Sequence, residues 1–269
     1  MSQIPPSAAV LAAFGLGRDP APLPGGQGRS WRVGDVVVKP LDADPAAIEW
    51  QASVLGRLDG RSEFRVSVPL HTLTGGWVEA GWTAWRFQPG APADRRWIDI
   101  IEVGEQLHAA LAAEAAPPFL AGRADRWSIG DRVAWGELPA TDYAGVKHLD
   151  VLVAACRPVA GRDQLVHGDL TGNVLFHDQL PPLVIDLSPY WRPPAFAAAV
   201  VVADALVFEG AIEGDFEQLL QDDQFSQYLL RALIYRAVTD HLARPGPPRP
   251  DGEDPYLRAV RLATRLAGG

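Results

Sequence analysis

The sequence predicts an α+β protein of two lobes, a small antiparallel β lobe with one helix followed by a larger, mainly helical lobe. Three observations predict it. The first third alternates strand-like and helix-like segments in the order strand, strand, helix, strand, strand. Gln88-Pro-Gly-Ala-Pro92 is turn-rich and lacks periodicity, so a boundary is expected at about 86–90, between lobes 1–87 and 88–269. Beyond it, apolar residues recur mostly at helical spacing, with one pair of short apolar strands embedded among them.

Each element has a local reason. Residues 7–16 place Val10, Leu11, Phe14 and Leu16 on roughly one face, which predicts a short helix. After a Pro/Gly-rich stretch from Asp19 to Gly28, Ser30-Trp-Arg-Val33 and Val36-Val-Val-Lys39 read as strands joined by a two-residue turn at Gly34-Asp35. Asp44-Pro45 is an N-cap followed by proline in the first turn, and Ile48, Ala52, Leu55 and Leu58 continue a helix to Leu58. A second hairpin is expected from Arg65 to Phe87 with its turn at Gly75-Gly76. Trp97 to Ala113 is helical, with Ile98, Ile101, Gly104, Leu107 and Leu111 tracing one face. Residues 114–141 read as irregular, anchored by Trp127 and Trp135. A helix over 144–156, the two short strands, and helices from Pro194 onward complete the chain, with an interruption at Pro245-Gly-Pro-Pro-Arg-Pro250.

Composition narrows the function. The 269 residues are 48% hydrophobic and 21% charged, enough to bury a core. No apolar run approaches the roughly 18 residues of a membrane helix, and the first residues carry no secretory pattern. Cys156 is the single cysteine, so no internal disulfide forms and a cytoplasmic location is expected. A net charge of −9 argues against a nucleic-acid partner. It suits a cationic small substrate, although acidic balance mainly serves solubility. The expected partner is therefore a small molecule, with no membrane; the sequence does not specify an oligomeric state. Of 24 basic residues only Lys39 and Lys147 are lysines, which draws attention to Lys39 at the end of its strand.

The chemistry is concentrated in Leu165-Val-His167-Gly-Asp169-Leu-Thr-Gly-Asn173-Val-Leu-Phe176 and the following Leu183-Val-Ile-Asp186. One apolar strand delivers His167, Asp169 and Asn173 into a tight loop, where Gly172 can supply a positive φ. A second strand presents Asp186. Phosphoryl transfer needs such groups: one carboxylate to accept the proton of the acceptor hydroxyl, and an Asn plus a second carboxylate to hold Mg²⁺ against nucleotide phosphates. Zinc spacing, a nucleophile elbow, a Walker-type lysine loop and paired cysteines are all absent from the sequence.

This set resembles the catalytic and metal-binding loops of the protein-kinase-like phosphotransferases. The likeness is greatest to the aminoglycoside phosphotransferase and choline kinase branch, which carries His-Gly-Asp where protein kinases carry His-Arg-Asp. The resemblance runs from about Gly25 to Asp186 and implies a bilobal kinase-like fold that transfers the γ-phosphoryl group of ATP (or GTP) to a small-molecule hydroxyl. Asp169 is then the catalytic base, His167 the residue bracing its loop, and Asn173 and Asp186 the Mg²⁺ ligands. Lys39 becomes the nucleotide lysine, with Glu49 on the next helix as its partner. Gly26 and Gly28 belong to a loop that covers phosphates or serves only as a turn, and Phe87 lies where a hinge binds adenine. His108, in a Leu-x-x-Leu-His-like segment, is expected to be a packed structural histidine.

Two departures accompany the resemblance. Asp169 and Asn173 are four steps apart where the kinase pattern has five, and Leu187-Ser188 replaces Phe-Gly after Asp186. A nucleotide-binding protein that keeps the fold without phosphoryl transfer, and transfer of another nucleotide group such as AMP, stay open. So do two readings each for the acidic run Glu209–Asp223, which either holds substrate or is a solvated face, and for Tyr190-Trp191-Arg192, which either lines the acceptor pocket or packs inward.

Overall fold

The computed structural model describes residues 4–17, 19–23, 28–41, 44–244 and 254–268. Two compact units divide the chain. One comprises the chain up to Ala93 together with Gly172–Leu187, and the other Asp94–Thr171 with the chain from Ser188 on. The division falls a few residues beyond the expected 86–90 boundary and returns a later segment, Gly172–Leu187, to the first unit.

In the first unit, helix α1 (Ala8–Ala13) begins where Ser7 accepts a hydrogen bond from the Val10 amide. A five-stranded sheet follows the order β1 (Ala21–Pro22), β2 (Trp31–Val33), β3 (Val36–Pro40), β6 (Trp82–Arg86), β5 (Pro69–Leu70). The β2–β3 hairpin pairs Val33 with Val36 around the expected turn, and β3 places Lys39 opposite Thr83 of β6. Pro69 is tolerated because β5 is an edge strand. Val10, Leu11 and Phe14 of α1 and its following turn pack with Val33, Val38 and Ala84 of the sheet in one apolar cluster. Helix α2 (Pro45–Leu58) starts as the sequence predicts, with Asp44 accepting from the Ala46 amide.

The expected Arg65–Phe87 hairpin forms only in part. Strands β5 and β6 pair antiparallel, but β4 (Arg65–Val66) joins a different sheet, parallel to Leu183–Val184. Arg65 explains the diversion: its Nε donates to the Pro181 carbonyl and its Nη2 to the Pro89 carbonyl, both at 2.8 Å. The second sheet has the order β4, β9 (Leu180–Val184), β8 (Val174–His177).

The second unit is mainly helical. Helix α3 (Trp97–Leu111) buries Ile100, Ile101, Leu107 and Leu111, while Ile98, expected on the inner face, is exposed. The stretch expected to be irregular contains α4 (Arg126–Ala134), capped by Asp125. Its buried face includes Ser128, Gly130 and Asp131, so no apolar period announces it. Helix α5 (Leu149–Ala155) is shorter than expected. Strand β7 (Gln164–His167) pairs antiparallel with β10 (Pro189–Arg192), not with β9, the other strand of the expected embedded pair. Helices α6 (Pro194–Phe208), α7 (Glu217–Leu220), α8 (Asp223–Ala243) and α9 (Leu257–Gly268) follow. Helix α6 is apolar nearly all round and correspondingly buried, and it packs on α8. No helix among the described residues is long and apolar enough to cross a membrane.

Helices α4 and α8 approach closely at Gly130, where an added Cβ would stand 2.6 Å from Thr239 Oγ1 and 2.7 Å from the Tyr235 carbonyl oxygen. A backbone oxygen cannot rotate aside, so Gly130→Ala is expected to cost about 1–3 kcal/mol by overpacking, read as a lowered denaturant midpoint. An unchanged midpoint would show that the two helices separate freely.

Candidate active site

The first unit gathers three of the expected residues. Strand β3 carries Lys39, whose ammonium pairs with the carboxylate of Asp186 and lies 4.7 Å from the centre of the Trp85 ring. Asp186 follows β9 with a left-handed φ of 50°, a conformation that Asp tolerates better than most non-glycine residues. Asn173 precedes β8, and its carbonyl accepts the Ile185 amide at 3.0 Å, so it lies one residue from being opposite Asp186 in the same hairpin. Gly172 before it has φ 77°, the positive value expected of it.

The expected Lys39–Glu49 pair is not formed. Among the described residues the ion-pair partner of Lys39 is Asp186, and Glu49 lies on the exposed side of α2. The inner face of that helix carries Ile48, Gln51, Ala52 and Leu55, and Gln51 donates from its buried amide to the Leu187 carbonyl at 3.2 Å. Gly26 lies outside the described residues, and Gly28 has φ 65°. Phe87 does not present its amide as an adenine donor: that N–H is given to the Asp35 carbonyl at 2.8 Å, and Arg32 lies over its ring at 3.6 Å.

The second unit holds His167 and Asp169. His167 ends β7 fully buried, and its Nδ1 accepts the Asp169 amide at 3.2 Å. His108 of α3 stands behind it, with Nε2 accepting the His167 amide at 3.0 Å. Both rings act as acceptors and are therefore braces. Burial, reinforced by the neighbouring His167, pushes His108 down to about 3, so it remains neutral. The glycine of His-Gly-Asp has a steric cause: a Cβ on Gly168 would stand 2.3 Å from Cδ2 of Tyr190. Tyr190 therefore packs inward against the loop, and its hydroxyl meets that of Tyr235 at 3.1 Å.

The side chain of Asp169 is held by a residue that sequence reasoning missed. Arg236 of α8 donates from Nη2 to Asp169 Oδ1 at 2.7 Å, while its Nε and Nη2 grip both oxygens of Asp204 of α6 at 2.7 and 2.6 Å. Burial alone would pull the Arg236 guanidinium down, but the Asp204 carboxylate outweighs it and holds the group well above its usual range. The one sequence signal was Asp204 itself, a lone acid inside the apolar run of α6. A cleft of about 320 Å³ opens beside these groups, lined among others by Asp169, Arg236, Arg126, Trp127 and Asp240. Of the acidic run, Glu209 also lines it and accepts the Trp97 indole N–H, whereas Glu213 and Asp215 pair elsewhere with Arg265 and Arg95.

A strand lysine paired with a strand-end aspartate, and a braced His-Gly-Asp loop in a helical unit, define a protein of the kinase-like phosphotransferase class. The chain belongs to the phosphotransferase enzyme family (APH), whose model matches residues 20–209. Solved structures agree in fold. An aminoglycoside phosphotransferase from Alicyclobacillus acidocaldarius subsp. acidocaldarius DSM 446 is 15% identical with a TM-score of 0.61, covering 99% of this chain and 94% of that one. The apo form of a thermostable mutant of aminoglycoside phosphotransferase APH(4)-Ia is 16% identical with a TM-score of 0.58, covering 96% and 97%. The spectinomycin phosphotransferase APH(9)-Ia, in complex with ADP and spectinomycin, is 14% identical with a TM-score of 0.52, covering 97% and 96%. No curated protein matches the chain.

Two outcomes follow from the braces. Because the pKa of His108 is lower in the folded chain than its unfolded value of 6.5, only the unfolded chain takes up this proton between those values. The contribution is complete above pH 6.5 and is lost as pH falls toward about 3. The acid slope of stability should therefore flatten by up to about 1.4 kcal/mol per pH unit in His108→Gln, measured by denaturant unfolding across that range; identical slopes would contradict a neutral buried His108. Asp204→Ala leaves Arg236 with Asp169 as its remaining carboxylate partner among the described residues and should cost up to about 3–5 kcal/mol, much of it recovered in Asp204→Ala/Arg236→Met. A double variant no more stable than the single one would contradict the pairing.

Proposed function

We propose that this protein transfers the γ-phosphoryl group of ATP or GTP to a hydroxyl of a small molecule, with Asp169 as base and Lys39, Asn173 and Asp186 on the nucleotide side. The observation that carries the reading is the Lys39–Asp186 pair in a chain of this family. It joins a cation suited to phosphate with a half-exposed carboxylate suited to a hard metal ion. Asn173 and Asp186 offer only oxygen donors, which fits Mg²⁺, and the ammonium of Lys39 is the cation that Asp186 takes here. When bound, Mg²⁺ supplies charge neutralisation at the phosphates.

The residues of the chain do the rest. Lys39 would bind phosphate oxygens, and Asp186 with Asn173 would hold the metal ion. Asp169 accepts the proton of the acceptor hydroxyl as it attacks. Arg236 orients that carboxylate from one side, while His167 fixes its main chain. The ADP and spectinomycin in the APH(9)-Ia structure, and the AMP-PNP and hygromycin B in an APH(4)-Ia structure, support a nucleotide and a hydroxylated acceptor here too. A cytoplasmic location suits the ATP dependence and the single cysteine. A second reading, nucleotide binding without transfer, is favoured by the four-step spacing from Asp169 to Asn173.

Calorimetric titration with ATP, followed by ADP release over a panel of hydroxylated acceptors, tests both. Binding should be saturable and strengthened by Mg²⁺, and weakened roughly tenfold or more in Lys39→Ala. Asp169→Ala should keep nucleotide affinity and lose about 10²–10⁴-fold in turnover. Full turnover in that variant would remove Asp169 from the mechanism. Binding with no acceptor-stimulated ADP release would select the second reading, and no binding at all would end the first.

A further inference from the structure

We infer that the acceptor carries an oxyanion group, a carboxylate or phosphate, and that Arg126 binds it in the cleft beside Asp169. This deepens the phosphotransferase reading and rests on it. Formal charge does not decide the question, because four carboxylates (Asp169, Asp204, Glu209, Asp240) share the cleft with three guanidinium groups (Arg126, Arg236, Arg244). Hydrogen bonding does. Each carboxylate already accepts from a donor of the chain: Asp169 and Asp204 from Arg236, Asp240 from the Tyr256 hydroxyl at 2.7 Å, and Glu209 from the Trp97 indole.

Arg126 is the opposite case. Its Nε is buried without a hydrogen-bond partner, and among the described residues its guanidinium makes no ion pair. The adjacent acid, Asp125, is taken by Arg123 at 3.0 and 3.2 Å and by the amides that open α4. Arg126 is itself the first residue of α4, where the helix dipole disfavours a cation and favours an anion. The guanidinium carbon lies 4.1 Å from the centre of the Trp127 ring, within cation–π distance. A planar fork with a buried unmet donor, on the wall of a cleft that also holds the proposed base, fits a two-pronged bond to an oxyanion. An ammonium substrate would leave that donor unmet and add a like charge.

The full chain, saturated with Mg²⁺ and AMP-PNP, is titrated calorimetrically with four probes of one carbon skeleton: gluconate, glucose 6-phosphate, glucose and glucosamine. The wild type should bind gluconate or glucose 6-phosphate roughly tenfold or more tighter than glucosamine, and which of the two prevails assigns carboxylate or phosphate. Arg126→Gln should lose that preference while its AMP-PNP affinity and thermal midpoint hold, and Arg126→Lys should regain part of it. Tighter binding of glucosamine overturns the inference. So does an anion preference unchanged in Arg126→Gln, or no anion binding in a wild type that binds nucleotide. Failure to bind nucleotide overturns the phosphotransferase reading instead, and this one with it.

Discussion

The Asp204–Arg236 pair is the constraint on which the second unit turns. Helix α6 is so apolar that it can only be an interior helix, and a carboxylate within it is tolerable only if a counter-charge reaches it with good geometry. Arg236 supplies that geometry from α8, spanning both oxygens of Asp204. Once α6 and α8 are locked in this way, the same Nη2 has a fixed position from which to hold Asp169. The arrangement of two interior helices thus sets the direction of the proposed base. A more stable apolar pair at these positions would leave that carboxylate without its guide, which gives a physical reason for accepting the desolvation of two charges.

The His-Gly-Asp loop is held by the same elements from its other side. Its main chain is fastened through His167, backed by His108 of α3, and both rings serve as neutral acceptors. The ring of Tyr190 occupies the space a side chain on Gly168 would need, and Tyr190 in turn meets Tyr235, the residue before Arg236 in α8. Asp169 is consequently fixed at its amide and at its carboxylate by groups that are themselves buried. Preorganisation of this kind matters because a carboxylate that must reorient during attack loses much of its catalytic value.

What the sequence made legible was local. The β2–β3 hairpin, helix α2 with its Asp44 cap, helix α3 and the chemistry-bearing loop could all be read from neighbouring residues. What it hid was pairing over distance. Strand β4 reads like the start of a hairpin, yet the hydrogen bonds of Arg65 commit it to β9. Helix α4 buries Ser128, Gly130 and Asp131 beside Val133 and Ala134, with α8 too close at Gly130 for a side chain, so apolar periodicity could not reveal it. Glu49 illustrates the same limit within one helix. It stands in the right order after the lysine, but residues two apart point about 200° away from each other, and the inward position is Gln51. Arg236 had no local signature, and only the lone acid in α6 hinted that a buried cation must answer it.

Each unit holds one of these ion pairs, and the two differ in exposure. The side chains of Asp204 and Arg236 are 6% and 11% exposed, so breaking that pair leaves a charge in a medium that cannot solvate it. Asp186 is 52% exposed beside a Lys39 that is 17% exposed, so water can take over much of what the carboxylate loses. A pair of the second kind costs less to open, because its carboxylate stays hydrated when the ammonium is drawn away. The second unit therefore holds a permanent pair that aims Asp169, and the first unit a more readily opened pair at the residues proposed to meet the nucleotide.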